Sequence, residues 1–131
     1  MALTQGQVSR LVKALDERYE SLLEEVREEL EQSENQQYVE LIGRTPADSG
    51  DESVGDVLAD LNLGIIDRHI REIRDIEAAR VRIEDHSFGI CIGCEADIGF
   101  ERLLAYPTAK RCIVCQQQHE RNYARAGTPK L

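Results

Sequence analysis

The stretch FGICIGCEADIGFERLLAYPTAKRCIVCQQQHE, residues 88–120, holds all four cysteines of the chain, in two Cys-x-x-Cys pairs separated by 17 residues. Cys91 and Cys94 form the first pair, Cys112 and Cys115 the second. Each pair suits a tight knuckle that turns two sulfurs toward one ion, and two knuckles complete a tetrahedron of thiolates around Zn²⁺. Four thiolates leave no position for water, so the spacing predicts one structural zinc and no catalytic metal. A segment this short buries too little apolar surface to fold unaided, so the metal must supply folding free energy. Arg102, Lys110 and Arg111 lie between or beside the knuckles, as counter-charges or as ordinary surface bases. His86 and His119 flank the cluster and read as solvated residues, the shell being complete without them. Beyond Cys112 a short closing helix runs to Gly127, and the last residues, GTPKL, read as a helix stop and a frayed end.

Upstream of this segment the pattern is helical. Residues 5–40 contain no Pro, and Leu11, Leu15, Tyr19, Leu22, Val26 and Leu30 recur three or four apart, which is one stripe on a helix. Thr4 and Gln7 have capping-box spacing. A second run, residues 54–86, carries Val54, Leu58, Leu61, Ile65, Ile66, Ile70, Ile73, Ile76 and Ile83. His69 sits near that stripe as a seam or rim residue. Opposite charges four apart, such as Arg68–Glu72 and Arg80–Glu84, support an exposed helix. Gly64 marks weak packing or a bend, and Gly89, after Phe88, suits a left-handed helix cap.

Between the runs, residues 43–53 cluster Gly, Pro and Asp, which signals a reversal. The expected fold is mainly α: a long antiparallel coiled-coil hairpin over residues 1–87, then a four-cysteine zinc finger with a C-terminal helix over residues 88–131. Helices of about 36 and 33 residues would be roughly 54 and 50 Å long, so the acidic tip would lie far from the chain ends. Asp48, Asp51 and Glu52 lie in that tip, either as helix caps or as carboxylates carried to a distant target.

The chain has 131 residues, and its 25 acidic and 16 basic side chains give a formal charge of −9. That charge is split: residues 100–131 hold two acids and six bases, and residues 1–99 hold 23 acids and 10 bases. An acidic chain is poorly suited to coating DNA or RNA, which requires a basic face. No run of 18 apolar residues spans a membrane. The amino terminus MALTQGQVSR lacks the charged start and apolar stretch of a signal peptide, so a cytoplasmic, zinc-binding use of the cysteines is expected rather than disulfides.

Residues 88–120 resemble the zinc-finger signature of the DksA/TraR family of bacterial transcription factors. The two Cys-x-x-Cys pairs, Ile98-Gly99, Arg102-Leu103 and Ala105-x-Pro107-Thr108-Ala109 carry the likeness, and the upstream hairpin fits it. The resemblance implies a regulator, not an enzyme, that binds bacterial RNA polymerase directly and does not bind DNA. Its hairpin would enter the secondary channel, its tip would approach the active site, and its zinc end would hold the channel rim. The family tip motif D-x-x-D-x-A is matched by Asp48-Ser-Gly-Asp51-Glu-Ser53, with Ser in place of Ala. Longer members use three basic residues in binding the alarmone guanosine tetraphosphate at the polymerase interface. The matching positions here are Asp75, Tyr106 and Gln116, none of them basic, so weak alarmone coupling is expected. Two alternatives remain: a Gre-like factor whose tip acids hold a second Mg²⁺ for transcript cleavage, and a zinc-ribbon nucleic-acid binder using the basic end. The knuckles disfavour the first and the acidic hairpin disfavours the second.

Overall fold

The computed structural model describes residues 3–43 and 53–127, and it is mainly helical. Six helices follow in order: α1 Gln5–Glu31, α2 Val39–Gly43, α3 Val54–Asp60, α4 Asp67–Glu84, α5 Phe100–Ala105 and α6 Ile113–Gly127. The only extended pairing among the described residues is the bridge between Ile90 and Asp97. No helix among the described residues is long and apolar enough to cross a membrane.

Helix α1 starts where the sequence places it. Gln7 N–H donates to Thr4 Oγ1 at 3.1 Å, and Thr4 N–H donates to Gln7 Oε1 at 3.0 Å. All six residues of the stripe are buried. Five of them, Leu15, Tyr19, Leu22, Val26 and Leu30, meet Ile66, Ile70, Ile73, Ile76 and Ala79 in one core. The polar contacts fix α1 and α4 as antiparallel: Arg80 reaches Asp16, Tyr19 reaches Glu77, Arg18 reaches Glu72, and His69 reaches Glu25. His69 is therefore a rim residue, as expected.

The helix ends differ from the sequence reading. α1 stops at Glu31 rather than running to residue 40. Ser33 Oγ donates to the Leu30 carbonyl at 3.1 Å and accepts the Asn35 N–H at 3.2 Å, while Gln36 Nε2 donates to the Glu31 carbonyl at 3.0 Å. These side chains satisfy carbonyls that a continuing helix would have used. The second run also breaks, at residues 61–66: Asn62 takes φ 55°, a left-handed conformation that Asn tolerates as a cap. The bend expected at Gly64 is thus a full interruption. At the other end of α4 the left-handed cap is His86, φ 65°, rather than Gly89. His86 N–H reaches the Ile83 carbonyl and Ser87 N–H the Arg82 carbonyl, which is a Schellman closure.

Because of these breaks, the outer pieces fold back. α2 returns along α1 and adds Ile42 to the core; α3 returns along α4 and adds Val54 and Leu58. Gly55 packs against Ile73, Arg74 and Glu77, midway along α4. The straight rod of roughly 50 Å is corrected accordingly: Ser53, which leads into α3, lies beside the middle of the hairpin. Asp48, Asp51 and Glu52 lie outside the described residues, as does the TPKL tail beyond Gly127.

The Arg18–Glu72 pair clips the hairpin with two bonds, 2.6 and 2.9 Å. Arg18's hydrogen bond holds the Glu72 carboxyl below its ordinary value of 4.5. A lowered carboxyl stabilises the fold above its unfolded value, and that contribution is lost as pH falls through the lower folded value. Partial burial raises Asp75 and gives an opposite trend, so the measurement is a comparison. Thermal unfolding followed by circular dichroism between pH 6 and about 3 should show a shallower acid loss in Glu72→Gln than in the unchanged protein.

Candidate zinc centre

The finger begins just beyond α4, where Phe88 packs on both the hairpin core and the finger core. Ile98 N–H bonds to the Gly89 carbonyl and Cys91 N–H to the Ala96 carbonyl, each at 2.8 Å, closing the first loop around the Cys91–Cys94 knuckle. Glu95, φ 66°, turns the chain back after Cys94. Gly93 N–H donates to Cys91 Sγ at 3.3 Å, and in the second knuckle Cys115 N–H donates to Cys112 Sγ at 3.4 Å. Gly93 lies in close approach to the second knuckle: a Cβ there would come within 3.2 Å of Cys115 Sγ and crowd it. The two loops are tied together by Ile92 N–H on the Lys110 carbonyl at 2.9 Å.

All four sulfurs lie within 4.8 Å of one another. Cys94 and Cys112 Sγ are 3.8 Å apart, the edge of a tetrahedron whose metal–sulfur bonds are about 2.3 Å. The donor set and its spacing fit Zn²⁺. Burial resists ionisation of Cys91, but backbone N–H groups of Cys112, Cys94 and Gly93 outweigh it and pull that thiol down to about 6. The neighbouring cysteine side chains, Cys91 foremost, push Cys115 up to about 12. A divalent cation held here would require all four cysteines as thiolates, so its binding would release protons. Of the expected counter-charges, Arg102 has another task. Its Nε donates to the Arg111 carbonyl at 3.1 Å, tying α5 to the second knuckle. His86 and His119 are exposed, and His119 stacks with Tyr123.

Residues 86–121 match the family model described as the prokaryotic dksA/traR C4-type zinc finger. This segment is similar to a dksA/traR zinc finger across both knuckles. The four cysteines are its structural zinc site. The RNA polymerase-binding transcription factor DksA of Escherichia coli K12 is 44% identical over 50 residues, covering 38% of this chain and 33% of that protein. The same-named protein of Buchnera aphidicola from Acyrthosiphon pisum is 41% identical over 56 residues, covering 43% of this chain and 37% of the relative. The matches thus span about a third of the relatives' length. A solved structure of transcription factor DksA2 from Pseudomonas aeruginosa matches 88% of this chain and 91% of its own, at 25% identity and a TM-score of 0.44.

The finger is welded to the hairpin. Leu11 of α1 is fully buried among Cys91, Ile98, Leu103 and Ala109, with Leu3 against them. Arg10 lies 5.4 Å from the centre of the Phe100 ring, and Arg82 reaches the Thr108 carbonyl at 3.4 Å. Sequence reading assigned Leu11 to the helix stripe and missed this second use; nothing in its spacing distinguishes the two.

A cleft of about 210 Å³ lies between α4 and the finger. Asp75, Tyr106 and Gln116, the three positions picked out by the family resemblance, all line it. Arg82, Lys110, Arg111 and His119 line it too. Partial burial raises the Asp75 carboxyl, against the pull of Lys110 and Arg82.

The tip residue that the structure describes, Ser53, is a helix cap. Its Oγ accepts the Asp56 N–H at 2.9 Å, so α3 has its cap without Asp48 or Asp51.

Proposed function

We propose that this protein is a cytoplasmic bacterial transcription regulator that binds RNA polymerase directly and is not an enzyme. The observation that carries this reading is a dksA/traR finger fused through Leu11 to the base of an acidic helical hairpin. Residues 88–131 and the hairpin base hold the rim of the polymerase secondary channel; residues 1–87 supply the reaching part. Asp48, Asp51 and Ser53 act in the active-site region and alter the stability of promoter complexes. The chain does not bind DNA itself, because its hairpin repels phosphates. The test is retention of core RNA polymerase on the zinc-loaded chain together with a mobility shift on bare DNA at low salt. Polymerase retained and DNA unshifted is the expected result; DNA shifted and polymerase not retained overturns the reading.

Alarmone dependence should be weak. Phosphates are recognised by cationic hydrogen-bonding groups, and here the cleft offers Asp75, Tyr106 and Gln116 at the places where coupled relatives are basic. Asp75 also offsets Arg82, Lys110 and Arg111 on the same wall. With a polymerase lacking any other alarmone site, the effect on a sensitive promoter should change less than about twofold when guanosine tetraphosphate is added, or under 0.5 kcal/mol. A large enhancement that depends on this protein would refute it.

A further inference from the structure

The fold-back of α3 is a built contact. Gly55 sits so close to α4 that a Cβ would meet Arg74 Cγ at 2.7 Å and Glu77 Oε1 at 2.9 Å. The Glu77 carboxylate accepts Tyr19 OH at 2.9 Å and the Gly55 N–H at 3.4 Å, so one acid joins α1, α3 and α4. Arg74 pairs with Asp56 at 2.8 Å. Yet the same sequence suits a second packing. Neither interruption contains Pro. Val54, Leu58, Leu61 and Ile65 recur three or four apart, one apolar stripe if residues 54–66 run as continuous helix, and Ile65 is left 47% exposed by the fold-back. Tyr38 and Ile42 lie four apart on the opposite run and could pair with that stripe.

We propose that the hairpin is a two-state device: a folded-back state, clasped by Gly55, Glu77 and the Arg74–Asp56 pair, and an extended state. In the extended state α1–α2 and α3–α4 run as two continuous helices, and α2 and α3 exchange their contacts with the inner helices for contacts with each other. Two packings of one sequence that bury similar apolar surface differ by little, so a small clasp can set their balance. The states differ widely in geometry. Gly55 touches Arg74 when folded back, whereas 19 residues of continuous helix would separate them by roughly 28 Å. On the polymerase reading, a deep and narrow partner site selects the extended state; the device itself does not depend on that reading, and its test uses the isolated protein.

The test is a distance measurement by double electron–electron resonance on the zinc-loaded full chain, with genetically encoded, non-cysteine spin labels at positions 57 and 84. The folded-back state places them roughly 20 Å apart and the extended state roughly 40 Å. Gly55→Ala favours helix by intrinsic propensity but crowds the clasp, and Glu77→Gln keeps the shape while removing the shared charge. Each should raise the ratio of long to short distance about tenfold, equivalent to about 1.4 kcal/mol, with a gain in far-ultraviolet helical signal. If Gly55→Ala does not fold, Glu77→Gln decides. A single short distance unchanged in the variants, or a single long one throughout, overturns the proposal.

Discussion

Cys112→Ser should release the zinc and unfold residues 88–125 while leaving most of the hairpin helical. The finger's own core is small: besides Leu11, its buried members are Cys91, Ile98, Leu103 and Ala109, and one of those is itself a ligand. Such a core offers a few burials of about 1.5–3 kcal/mol each, set against an ordering cost of about 1–2 kcal/mol per residue. Structural zinc contributes about 10–16 kcal/mol in small zinc-finger peptides, so the metal decides whether this segment is ordered. Removing one thiolate also leaves the N–H of Cys115 without its acceptor sulfur. The hairpin does not share this dependence, because Leu15, Leu22, Val26, Ile66, Ile73 and Ile76 are buried against one another without the finger. The expected spectrum loses the dispersed amide signals of the finger and the helical signal of α5 and α6, and keeps that of α1 and α4. Metal analysis should find about one zinc per chain in the unchanged protein and far less in the variant. A reducing, chelator-free preparation that contains no zinc would sink the assignment.

The parts of the molecule that were legible in the sequence are those where spacing alone determines the chemistry. Two Cys-x-x-Cys pairs admit few structures, and the sulfurs converge as the spacing requires. The stripe from Leu11 to Leu30 was legible for the same reason: six residues at helical spacing share one buried face, five of them against α4 and Leu11 against the finger. Helix ends were less legible, because they are decided by competition between side chain and backbone. Ser33 and Gln36 are compatible with a helix, yet they take over its last carbonyls when a return path exists. Asn62 likewise tolerates helix and left-handed cap alike, and the core residues waiting on α4 tip the choice. Gly55 was the available signal for the fold-back. A glycine inside a helix costs stability unless something packs where its side chain would be, and here α4 does. His86 hid the cap of α4, since Gly89 three residues later matched the usual pattern better.

On the polymerase reading, Asp48→Asn/Asp51→Asn should keep binding within about tenfold, or 1.4 kcal/mol, and lose most of the effect on transcription. The holding surface is the finger and the hairpin base, which Leu11 and Leu3 join into one body. The two acids belong to the segment between α2 and α3, away in sequence from that body. A carboxylate moved into a deep site has a desolvation cost that offsets its attraction. Charge there can bias a promoter complex while adding little affinity. The bland alternative was that the acids are helix caps. Ser53 already caps α3, so the double variant should leave helical content unchanged, and a capping loss of about 1 kcal/mol belongs to Ser53→Ala instead. Binding is measured by competition on core polymerase, action by the lifetime of a sensitive promoter complex, and helicity by circular dichroism on the same samples. If the double variant regulates normally, the acids have no role at the active-site end. If it fails to bind while its helicity is intact, holding and acting are not separate, and the acidic segment is part of the grip.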